Sequence, residues 1–255
     1  MYKILKMDVL GIIPARYAST RLEGKPLVDI CGKSMIQRVY EQANKALQHV
    51  VVATDDKRIE KAVLSFGGNV VMTSSKHKTG TNRCLEAYKI FSAQSESNFD
   101  IVINIQGDEP LLESRQLEQL ISCFDDDTVE ISSLVIPVKH NEDLFKSGVY
   151  VVLDKYKNAL YFSRSVIPFV RDTEKTNWQK EHTFYKHVGL YAFTPKSLKQ
   201  FSNLEQTSLE KAESLEQNRW LENGNLIRVA ITEFETIAID TQEDLERVRT
   251  IIGCN

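Results

Sequence analysis

The sequence has few cysteines and no long hydrophobic run, and both absences narrow the class of protein. Its four cysteines, Cys31, Cys84, Cys123 and Cys254, are scattered without a CxxC pair or a metal-like spacing. We therefore expect reduced thiols rather than a disulfide framework or a cysteine-based metal site. No window approaches the ~20 consecutive apolar residues of a membrane span. The first residues, MYKILKMDVLGIIP, lack the features of a signal peptide, so the expected location is the cytoplasm.

An excess of positive charge is also lacking. The chain has 32 Lys and Arg against 35 Asp and Glu, a net charge of −3. Because no global positive field attracts a polyanion, this balance argues against a nucleic-acid-binding protein. The hydrophobic fraction of 42% and the charged fraction of 26% are typical of a globular protein. A chain of 255 residues can form one large α/β domain or two small ones.

The first half of the chain alternates between strand-like and helix-like patterns. Short apolar runs rich in β-branched residues, typical of strands buried on both faces, lie at 9–13, 50–53, 70–72 and 101–105. Between them, apolar residues recur at helical spacing in stripes that begin at Ile36, Ile59 and Leu117. This alternation predicts an α/β fold with a Rossmann-like, mostly parallel sheet and helices on both faces.

The second half has a different pattern, which predicts a smaller mixed or antiparallel extension. Strand-like pieces are separated by polar loops and lie at 131–138, 149–153, 159–162 and 187–193. We expect residues 171–183 to form a mobile loop and residues 208–223 to form one helix that ends before Gly224. A single domain over residues 1–255 is expected, with three parts at 1–138, 139–215 and 216–255.

The first predicted strand leads into a loop that is rich in cations. In GIIPARYASTRLEGKPL, residues 11–27, the loop carries Arg16, Arg21 and Lys25. Ligands of open α/β sheets bind at the carboxyl ends of the strands, so this loop points to the expected cleft. It matches neither GxGxxG nor GxxxxGK[ST]. Three cations suit a strongly anionic ligand such as a nucleoside triphosphate, and a solvated loop with chance cations is the alternative.

Eight segments together carry a resemblance to a known family. They are GIIPARYASTRLEGKPL, VVATDD (51–56), HKTGTNR (77–83), INIQGDEP (103–110), ALYFSRSVIP (159–168), YKHVGLYAF (185–193), SLEKAESLEQNRW (208–220) and IDTQEDLERVR (239–249). In this order they resemble the sugar-acid cytidylyltransferases, and specifically the 3-deoxy-manno-octulosonate (Kdo) cytidylyltransferase family.

The resemblance implies an activity, a cofactor and partners. It implies a Mg²⁺-dependent transfer from CTP to the anomeric hydroxyl of Kdo, which gives CMP-Kdo and pyrophosphate for lipopolysaccharide biosynthesis. It also implies a cytoplasmic homodimer with no nucleic-acid or membrane partner. The part at 1–138 would bind the nucleotide, the part at 139–215 would bind the sugar and form the dimer, and the part at 216–255 would return to the active site.

Two aspartates follow apolar runs and are candidates for a metal site. Asp108 follows IVINIQ and Asp240 follows TIAI, so both are expected at strand ends. Mg²⁺ prefers hard oxygen ligands, usually one or two carboxylates with phosphates and water. Both residues also match the metal-binding positions of the family. The alternatives are a turn residue at Asp108 and helix capping around Asp240, because Thr241 and Asp244 resemble a capping box.

The resemblance also assigns the remaining roles on the nucleotide side. The catalytic residues would be Arg16, Lys25, Asp108 and Asp240. The nucleotide-binding residues would be Ala15, Arg16, Arg21, Lys25, Thr79, Gly80, Arg83 and Gln106. From the residues alone, HKTGTNR could equally be a loop followed by a helix cap, since Thr81 is a good capping residue. Asp55 and Asp56 are expected to cap their own helix and are left out of the site.

The strand expected at 185–193 suggests a polar notch. A period of two places His187, Gly189 and Tyr191 on one face, with donors on both sides of a residue without a side chain. A core histidine beside a packing tyrosine is the alternative. The resemblance assigns the sugar-acid site to Arg164, His187, Tyr191, Glu216 and Gln217, with the arginine suited to the sugar carboxylate. Helical spacing would place Glu213 and Gln217 on one face, where solvated acidic residues are the alternative.

Four positions depart from the family pattern. Glu23 and Gln242 replace prolines, Asn82 replaces an acidic residue, and Tyr150 stands where a lysine is common. The change at Tyr150 removes an expected cation, so an amino-substituted octulosonate such as 8-amino-Kdo is an alternative substrate. The sequence also leaves open a sialic-type nine-carbon acid as the substrate, and a non-catalytic nucleotide-binding module in place of an enzyme.

Overall fold

The structure is a computed structural model that describes residues 7–18 and 22–254. The chain folds into two compact units. The first comprises Met1–Glu118, Ala192–Ser202 and Thr236–Asn255, and the second comprises Gln119–Tyr191 and Asn203–Glu235. In the described part of the chain, no helix has both the length and the apolar character that crossing a membrane requires. The single-domain organisation and its three parts stay a prediction.

The first unit is a parallel sheet flanked by helices. Its strands are β1 (Val9–Ala15), β2 (Asp29–Ile30), β3 (Lys33–Ser34), β4 (His49–Thr54), β5 (Val70–Met72) and β6 (Ile101–Asn104). Its helices are α1 (Met35–Ala43), α2 (Lys57–Ser65), α3 (Gly80–Ser95) and α4 (Ser114–Ser122, whose last residues belong to the second unit), with α7 (Pro195–Asn203) and α10 (Gln242–Ile252) later in the chain. Strands β6, β1, β4 and β5 lie side by side in this order and run parallel. The predicted α/β class is confirmed.

Burial on both faces explains why the strand segments are uniformly apolar. Leu10, Ile12 and Ile13 of β1 are fully buried, as are Val50–Ala53 of β4. Continuous β-branched runs of this kind are typical of parallel strands covered by helices on both faces. All four of the strands that the first half of the sequence predicts are present. The short antiparallel hairpin of β2 and β3 was not predicted, because two-residue strands carry no periodicity.

A cluster of buried side chains joins two segments that are distant in sequence. It contains Ile30, Met35, Ile239, Leu245 and Val248, and each is at most 3% exposed. Burying an aliphatic side chain of this size contributes about 1.5–3 kcal/mol. The cluster therefore holds the chain after residue 25 against the chain around residue 240, which fixes the positions of two predicted site residues.

The second unit is a mixed sheet with short helices. Its strands are β7 (Ile131–Pro137), β8 (Tyr150–Leu153), β9 (Ala159–Ser163), β10 (Tyr185–Phe193, whose last two residues belong to the first unit) and β11 (Arg228–Ile231). Its helices are α5 (Asn141–Leu144), α6 (Trp178–Glu181), α8 (Ser208–Glu213) and α9 (Asn218–Glu222). Strand β11 runs parallel to β7, whereas β8 runs antiparallel to both β10 and β9. The predicted mixed extension is confirmed.

The helix that the sequence predicts over residues 208–223 is interrupted, so that prediction was wrong. Helix α8 ends at Glu213, and Ser214 takes a left-handed conformation with φ of 53°. The side chain of Asn218 then pairs with the backbone of Phe162, accepting from its N–H and donating to its carbonyl at 2.9 Å. These tertiary hydrogen bonds draw α9 onto β9, and they outweigh the local helical preference.

Two further expectations about local structure were wrong. Residues 171–183, expected as a mobile loop, contain the short helix α6, and the indole of Trp178 is buried and stacked on Phe184 with ring centroids 6.0 Å apart. The run at 237–239 is not a strand, although Ile239 is fully buried. In both places a single buried apolar residue anchors its segment, in a short helix at Trp178 and in irregular backbone at Ile239. A short stretch of sequence does not reveal which of the two will form.

The cysteine expectation holds for two residues and was wrong for the other two. Cys84 and Cys123 are free thiols. Cys31 and Cys254 are joined in a disulfide with their Cα atoms 5.4 Å apart. The pair is separated by 223 residues, so no sequence spacing could indicate it. It arises because α10 packs beside β2, where the guanidinium of Arg249 also donates to the carbonyl of Asp29 at 2.6 Å.

Candidate active site

Lys25, Asp108 and Asp240 meet at one point of the first unit. The ammonium of Lys25 donates to Oδ2 of Asp108 at 2.6 Å and to Oδ1 of Asp240 at 3.0 Å. The lysine side chain is 12% exposed, and the aspartate side chains are 32% and 39% exposed. Two carboxylates that share one ammonium lie close enough together to hold a single cation, so the structure brings together the two aspartates that the sequence predicts as a metal site.

A tight turn sets the position of Lys25. Gly24, with φ of 64°, precedes a turn of 3-10 helix at Lys25–Leu27, and its carbonyl accepts from the N–H of Leu27 at 2.8 Å. Pro26 occupies the first turn, where its fixed φ suits a helix start and its missing N–H costs nothing. The turn therefore directs the side chain of Lys25 back towards the sheet.

Backbone pairing places Asp240 beside Asp108. The N–H of Ile239 donates to the carbonyl of Asp108 at 2.9 Å. Thr241 and Asp244 form the capping box of α10 that the sequence predicts, with the Thr241 side chain accepting from the Asp244 N–H at 3.2 Å. Because those two residues cap the helix, the carboxylate of Asp240 is left for Lys25.

The end of β6 approaches the end of β1 closely at Gly107. A Cβ atom there would lie 3.1 Å from the carbonyl oxygen of Pro14, which is tighter than an ordinary contact. A residue without a side chain lets the chain turn from the end of β6 into Asp108 while staying against β1. In the sequence QGD (106–108), Gly107 is therefore required for steric reasons, and Asp108 has the predicted chemical role.

A cavity of about 1130 Å³ opens above these residues. The predicted nucleotide-binding and catalytic residues that line it are Ala15, Arg16, Lys25, Thr79, Gly80, Arg83, Gln106, Asp108 and Asp240. Arg21, the remaining member of that set, lies outside the described residues. The cavity is also lined by Tyr17, Glu23, Arg58, His77 and Lys78. Five Lys and Arg residues and three carboxylates are among these residues, a combination typical of a site for an anion.

Arg83 lines the cavity, but its guanidinium is held by partners within the protein. Its guanidinium is buried, donates to Oγ1 of Thr73 at 2.6 Å and lies 3.3 Å from a carboxylate oxygen of Asp55. The expectation that Asp55 caps its own helix was therefore wrong, whereas Asp56 does cap α2 by accepting from the N–H of Arg58 at 2.8 Å. Asp55 is a residue of this region that sequence reasoning missed, because the pair with Arg83 is visible only in three dimensions.

The segment HKTGTNR leads into α3. Thr79, rather than Thr81, caps this helix by accepting from the N–H of Asn82 at 3.2 Å. His77 bonds to Glu86 through Nε2, and the same carboxylate accepts from the N–H of Ser74 at 2.8 Å. These bonds lower the pKa of Glu86 against the opposing effect of its burial. They also fix the loop that presents Thr79 and Gly80 to the cavity.

Glu109 is a buried carboxyl next to the two aspartates. It is 8% exposed, and burial raises its pKa to about 7, with a further contribution from the charge of Asp108. A hydrogen bond with Thr236 and the charge of Lys25 act in the opposite direction. Partial protonation at neutral pH therefore limits the negative charge around Asp108.

In the second unit, His187, Tyr191 and Glu216 are brought together. The rings of His187 and Tyr191 lie 5.2 Å apart on one face of β10, as the strand period predicts. Nε2 of His187 lies 2.9 Å from the hydroxyl of Ser133, and its ring packs edge-on against Phe162. Although some of the residue's surface meets solvent, this enclosure of the ring lowers the pKa of His187 to about 3, so the imidazole is neutral. The pKa of Tyr191 is raised by burial and by the charge of Glu216.

Arg164 lies at the break between α8 and α9. Its guanidinium donates to the carbonyl of Glu213 at 2.7 Å and to that of Ser214 at 3.3 Å. The carboxylate of Glu213 accepts from the backbone N–H of Arg164 at 2.9 Å and from the hydroxyl of Ser163 at 2.6 Å. Helix α8 ends at Glu213. Glu213 and Gln217 therefore do not share a helical face, contrary to the sequence prediction. Gln217 is buried at the start of α9.

Tyr150, which stands where the resemblance predicts a lysine, is accommodated by burial and hydrogen bonds. Tyr150 is buried, and its hydroxyl donates to the carbonyls of Leu144 and Lys146. Lys186 is its register partner on β10, with the ammonium 5.4 Å from the centre of the Tyr150 ring. That ammonium donates to the carbonyl of Asp143 at 2.9 Å. A cation is therefore retained beside position 150, on the neighbouring strand.

The fold and the cavity together define a nucleotide-binding α/β protein, and comparison with known proteins gives its family. A family profile described as cytidylyltransferase matches residues 10–237. The 3-deoxy-manno-octulosonate cytidylyltransferase of Parabacteroides distasonis is 53% identical over 253 residues, which cover 97% of this chain and 99% of the relative. The protein of the same name from Porphyromonas gingivalis is 46% identical over 254 residues, which cover 95% of this chain and 96% of the relative.

Solved structures agree with these relatives. The structure of CMP:2-keto-3-deoxy-manno-octonic acid synthetase complexed with CTP matches with a TM-score of 0.86 and 40% identity, covering 96% of this chain and 98% of that chain. HddC from Yersinia pseudotuberculosis complexed with GMP-PN matches with a TM-score of 0.64 at 15% identity, covering 97% of this chain and 100% of that chain, which shows a shared fold alone. The chain is a nucleotidyltransferase and belongs to the 3-deoxy-manno-octulosonate cytidylyltransferases of the cytidylyltransferase family.

Proposed function

We propose that the chain transfers the cytidylyl group of CTP to the anomeric hydroxyl of Kdo and releases pyrophosphate. The observation that carries the proposal is the shared contact of Lys25 with Asp108 and Asp240 at a cavity of basic residues. The relatives named for this reaction support the choice of both substrates. The product would be CMP-Kdo, used in lipopolysaccharide biosynthesis.

The donor set of Asp108 and Asp240 fits Mg²⁺. Within the described residues, no group of three or more His, Cys, Asp and Glu side chains could enclose a metal ion. Two carboxylates are nevertheless what Mg²⁺ commonly takes from a protein, since phosphate oxygens and water complete its coordination. When bound, the ion would offset the negative charge of the triphosphate and of the leaving pyrophosphate. Lys25 would move from the aspartates to the phosphates, which also need a cation.

The remaining cavity residues would position the nucleotide. Arg16, exposed at the end of β1, would bind phosphate oxygens in a forked geometry that lysine cannot supply. Thr79 and Gly80 lie at the start of α3, where the positive end of the helix dipole favours an anion. Ala15, Arg21, Arg83 and Gln106 complete the proposed nucleotide set. Their role is to position groups and stabilise charge, because in-line attack at the α-phosphate needs no covalent intermediate.

The second unit would bind the sugar acid. Arg164 would pair with the Kdo carboxylate, since its guanidinium carries five donors and two carbonyls use only part of them. Neutral His187 and protonated Tyr191 would meet sugar hydroxyls as hydrogen-bonding partners without net charge. Glu216 and Gln217 would accept from and donate to further hydroxyls. A homodimer formed through residues 139–215, a cytoplasmic location, and the absence of nucleic-acid or membrane partners complete the proposal.

Pyrophosphate release tests this proposal directly. Purified protein with CTP, Mg²⁺ and Kdo is expected to release pyrophosphate and to form CMP-Kdo, identified by mass spectrometry. Separate reactions with 8-amino-Kdo and with a nine-carbon sialic acid measure the choice of sugar acid. Asp108→Asn is expected to abolish turnover with an unchanged circular dichroism spectrum, and Glu118→Gln, an exposed carboxylate of α4, is the matched control. Tight CTP binding without turnover of any sugar acid would instead support a non-catalytic nucleotide-binding module.

A further inference from the structure

Arg58, near the start of α2, is held in a defined direction by Asp56. Its Nε and Nη2 donate to the two carboxylate oxygens of Asp56 at 2.9 and 2.7 Å. The same carboxylate caps α2 by accepting from the backbone N–H of Arg58. Although the side chain is 59% exposed, this fork fixes the plane of the guanidinium.

The guanidinium lies over the ring of Tyr17, which belongs to the loop after β1. Its central carbon is 3.2 Å from the ring centroid, in the range of a cation–π contact. The carbonyl of Tyr17 accepts from the N–H of Gly24 at 3.3 Å. A Cβ atom on Gly24 would lie 2.9 Å from the Tyr17 hydroxyl, so the phenol packs directly against the backbone there. Arg58 therefore contacts, through Tyr17, the residue that precedes Lys25.

The same groups line the proposed triphosphate cavity. Tyr17, Glu23, Lys25 and Arg58 are all among its lining residues. The pKa of Arg58 is raised chiefly by its hydrogen bond with Asp56, and Tyr17 and Glu23 add to that effect. The positive guanidinium thus partly offsets the negative charge that Glu23 adds beside Lys25.

We propose that Arg58 is a positioning residue for the triphosphate: by stacking on Tyr17, which contacts Gly24, it keeps the backbone just before Lys25 in place for CTP. The inference rests on the nucleotide site proposed above and adds to it a residue on a different element, α2. Because Arg58 acts on CTP binding through Tyr17, the effects of replacing Arg58 and Tyr17 should not add.

A double-mutant cycle with a matched control tests this inference. Arg58→Ala is expected to raise the KM for CTP and its calorimetric Kd roughly five- to tenfold, with kcat and the sugar-acid KM changed by less than about twofold. Tyr17→Leu is expected to have the same effect, and the double variant is expected to lose no more than either single variant. Arg58→Lys should recover less than half of the loss, because lysine cannot form the fork with Asp56. Lys57→Ala, which removes the adjacent exposed cation paired with Glu60, is the control and should match the unmodified protein.

Three results would overturn the inference. They are an Arg58→Ala variant that binds CTP within twofold of Lys57→Ala, additive losses in the double variant, and complete recovery with Arg58→Lys, which would indicate charge alone. A failure of the proposed function would look different, since neither the unmodified protein nor Lys57→Ala would then turn over CTP. The calorimetric Kd for CTP still tests Arg58 in that case, because it does not require turnover.

Discussion

Replacing Lys25 with methionine should affect nucleotide and metal binding in opposite directions. The ammonium occupies the position between Asp108 and Asp240, at 2.6 and 3.0 Å from their oxygens, where it competes with a divalent ion for the same carboxylates. Unit charges 4 Å apart interact by about 4 kcal/mol at an effective dielectric near 20. The ammonium of Lys25 repels a divalent ion at the same carboxylates, and the partial exposure of both carboxylates screens this repulsion. We expect the nucleotide-free variant to bind Mn²⁺ roughly three- to tenfold more tightly.

CTP binding should weaken in the same variant. A hydrogen bond to a charged group contributes about 1.5–3 kcal/mol, so the loss of the lysine contact predicts a Kd for CTP roughly 10- to 150-fold higher. Isothermal titration of Mn²⁺ and of CTP measures the two effects separately. Lys78→Met, which removes another cation of the cavity, is the control and should weaken CTP binding with less effect on Mn²⁺. Weaker Mn²⁺ binding or unchanged CTP binding in Lys25→Met would refute the reasoning.

Three further predictions concern the second unit. Arg164→Ala should raise the KM for the sugar acid about 10- to 100-fold, as expected for a lost charge-assisted contact, while the Kd for CTP stays within about twofold; equal losses for both substrates would contradict the assignment. The folded-state pKa of His187, about 3, lies below its ordinary value of 6.5. As the pH drops below 6.5, the imidazole of His187 is protonated in the unfolded chain but stays neutral in the folded chain. The free energy of unfolding should therefore fall, by up to about 1.4 kcal/mol per pH unit. His187→Gln should reduce that slope in urea titrations at pH 6.5, 5.5 and 4.5, and an unchanged slope would assign it to other groups. Arg219→Met removes the cation that pairs with the buried carboxylate of Glu210 and should lower the free energy of unfolding by about 3–5 kcal/mol, whereas a change below 1 kcal/mol would show that the pair adds little.

The sequence was sufficient to predict that Asp108 and Asp240 lie close together and to name most of the predicted residues that line the cavity. Asp108 and Asp240 each follow a short apolar run, and the parallel-sheet rule predicted a cleft beyond the carboxyl ends of the strands. The two runs differ in the structure: β6 is a strand, whereas residues 237–239 have no regular secondary structure. Asp240 still reaches its place, because Ile239 is fully buried and its N–H bonds to the carbonyl of Asp108.

Pairs that are distant in sequence could not be predicted. Asp55 has the local environment of a helix cap, and its contact with Arg83 depends on how α3 packs beside β4. The disulfide between Cys31 and Cys254 depends on the return of α10 to β2. The end of α8 at Glu213 depends on hydrogen bonds that Asn218 makes with β9, which no helical period reveals.

The proposed reaction requires a divalent ion held by Asp108 and Asp240 beside a bound triphosphate. The most direct measurement is the anomalous difference map of a crystal grown with CTP and Mn²⁺ as a substitute for Mg²⁺. We expect one peak with an oxygen from each of the two carboxylates and at least one phosphate oxygen at about 2.1 Å. A peak away from both carboxylates, or ordered CTP in the cavity with Lys25 still bound to both aspartates and no metal peak, would contradict it.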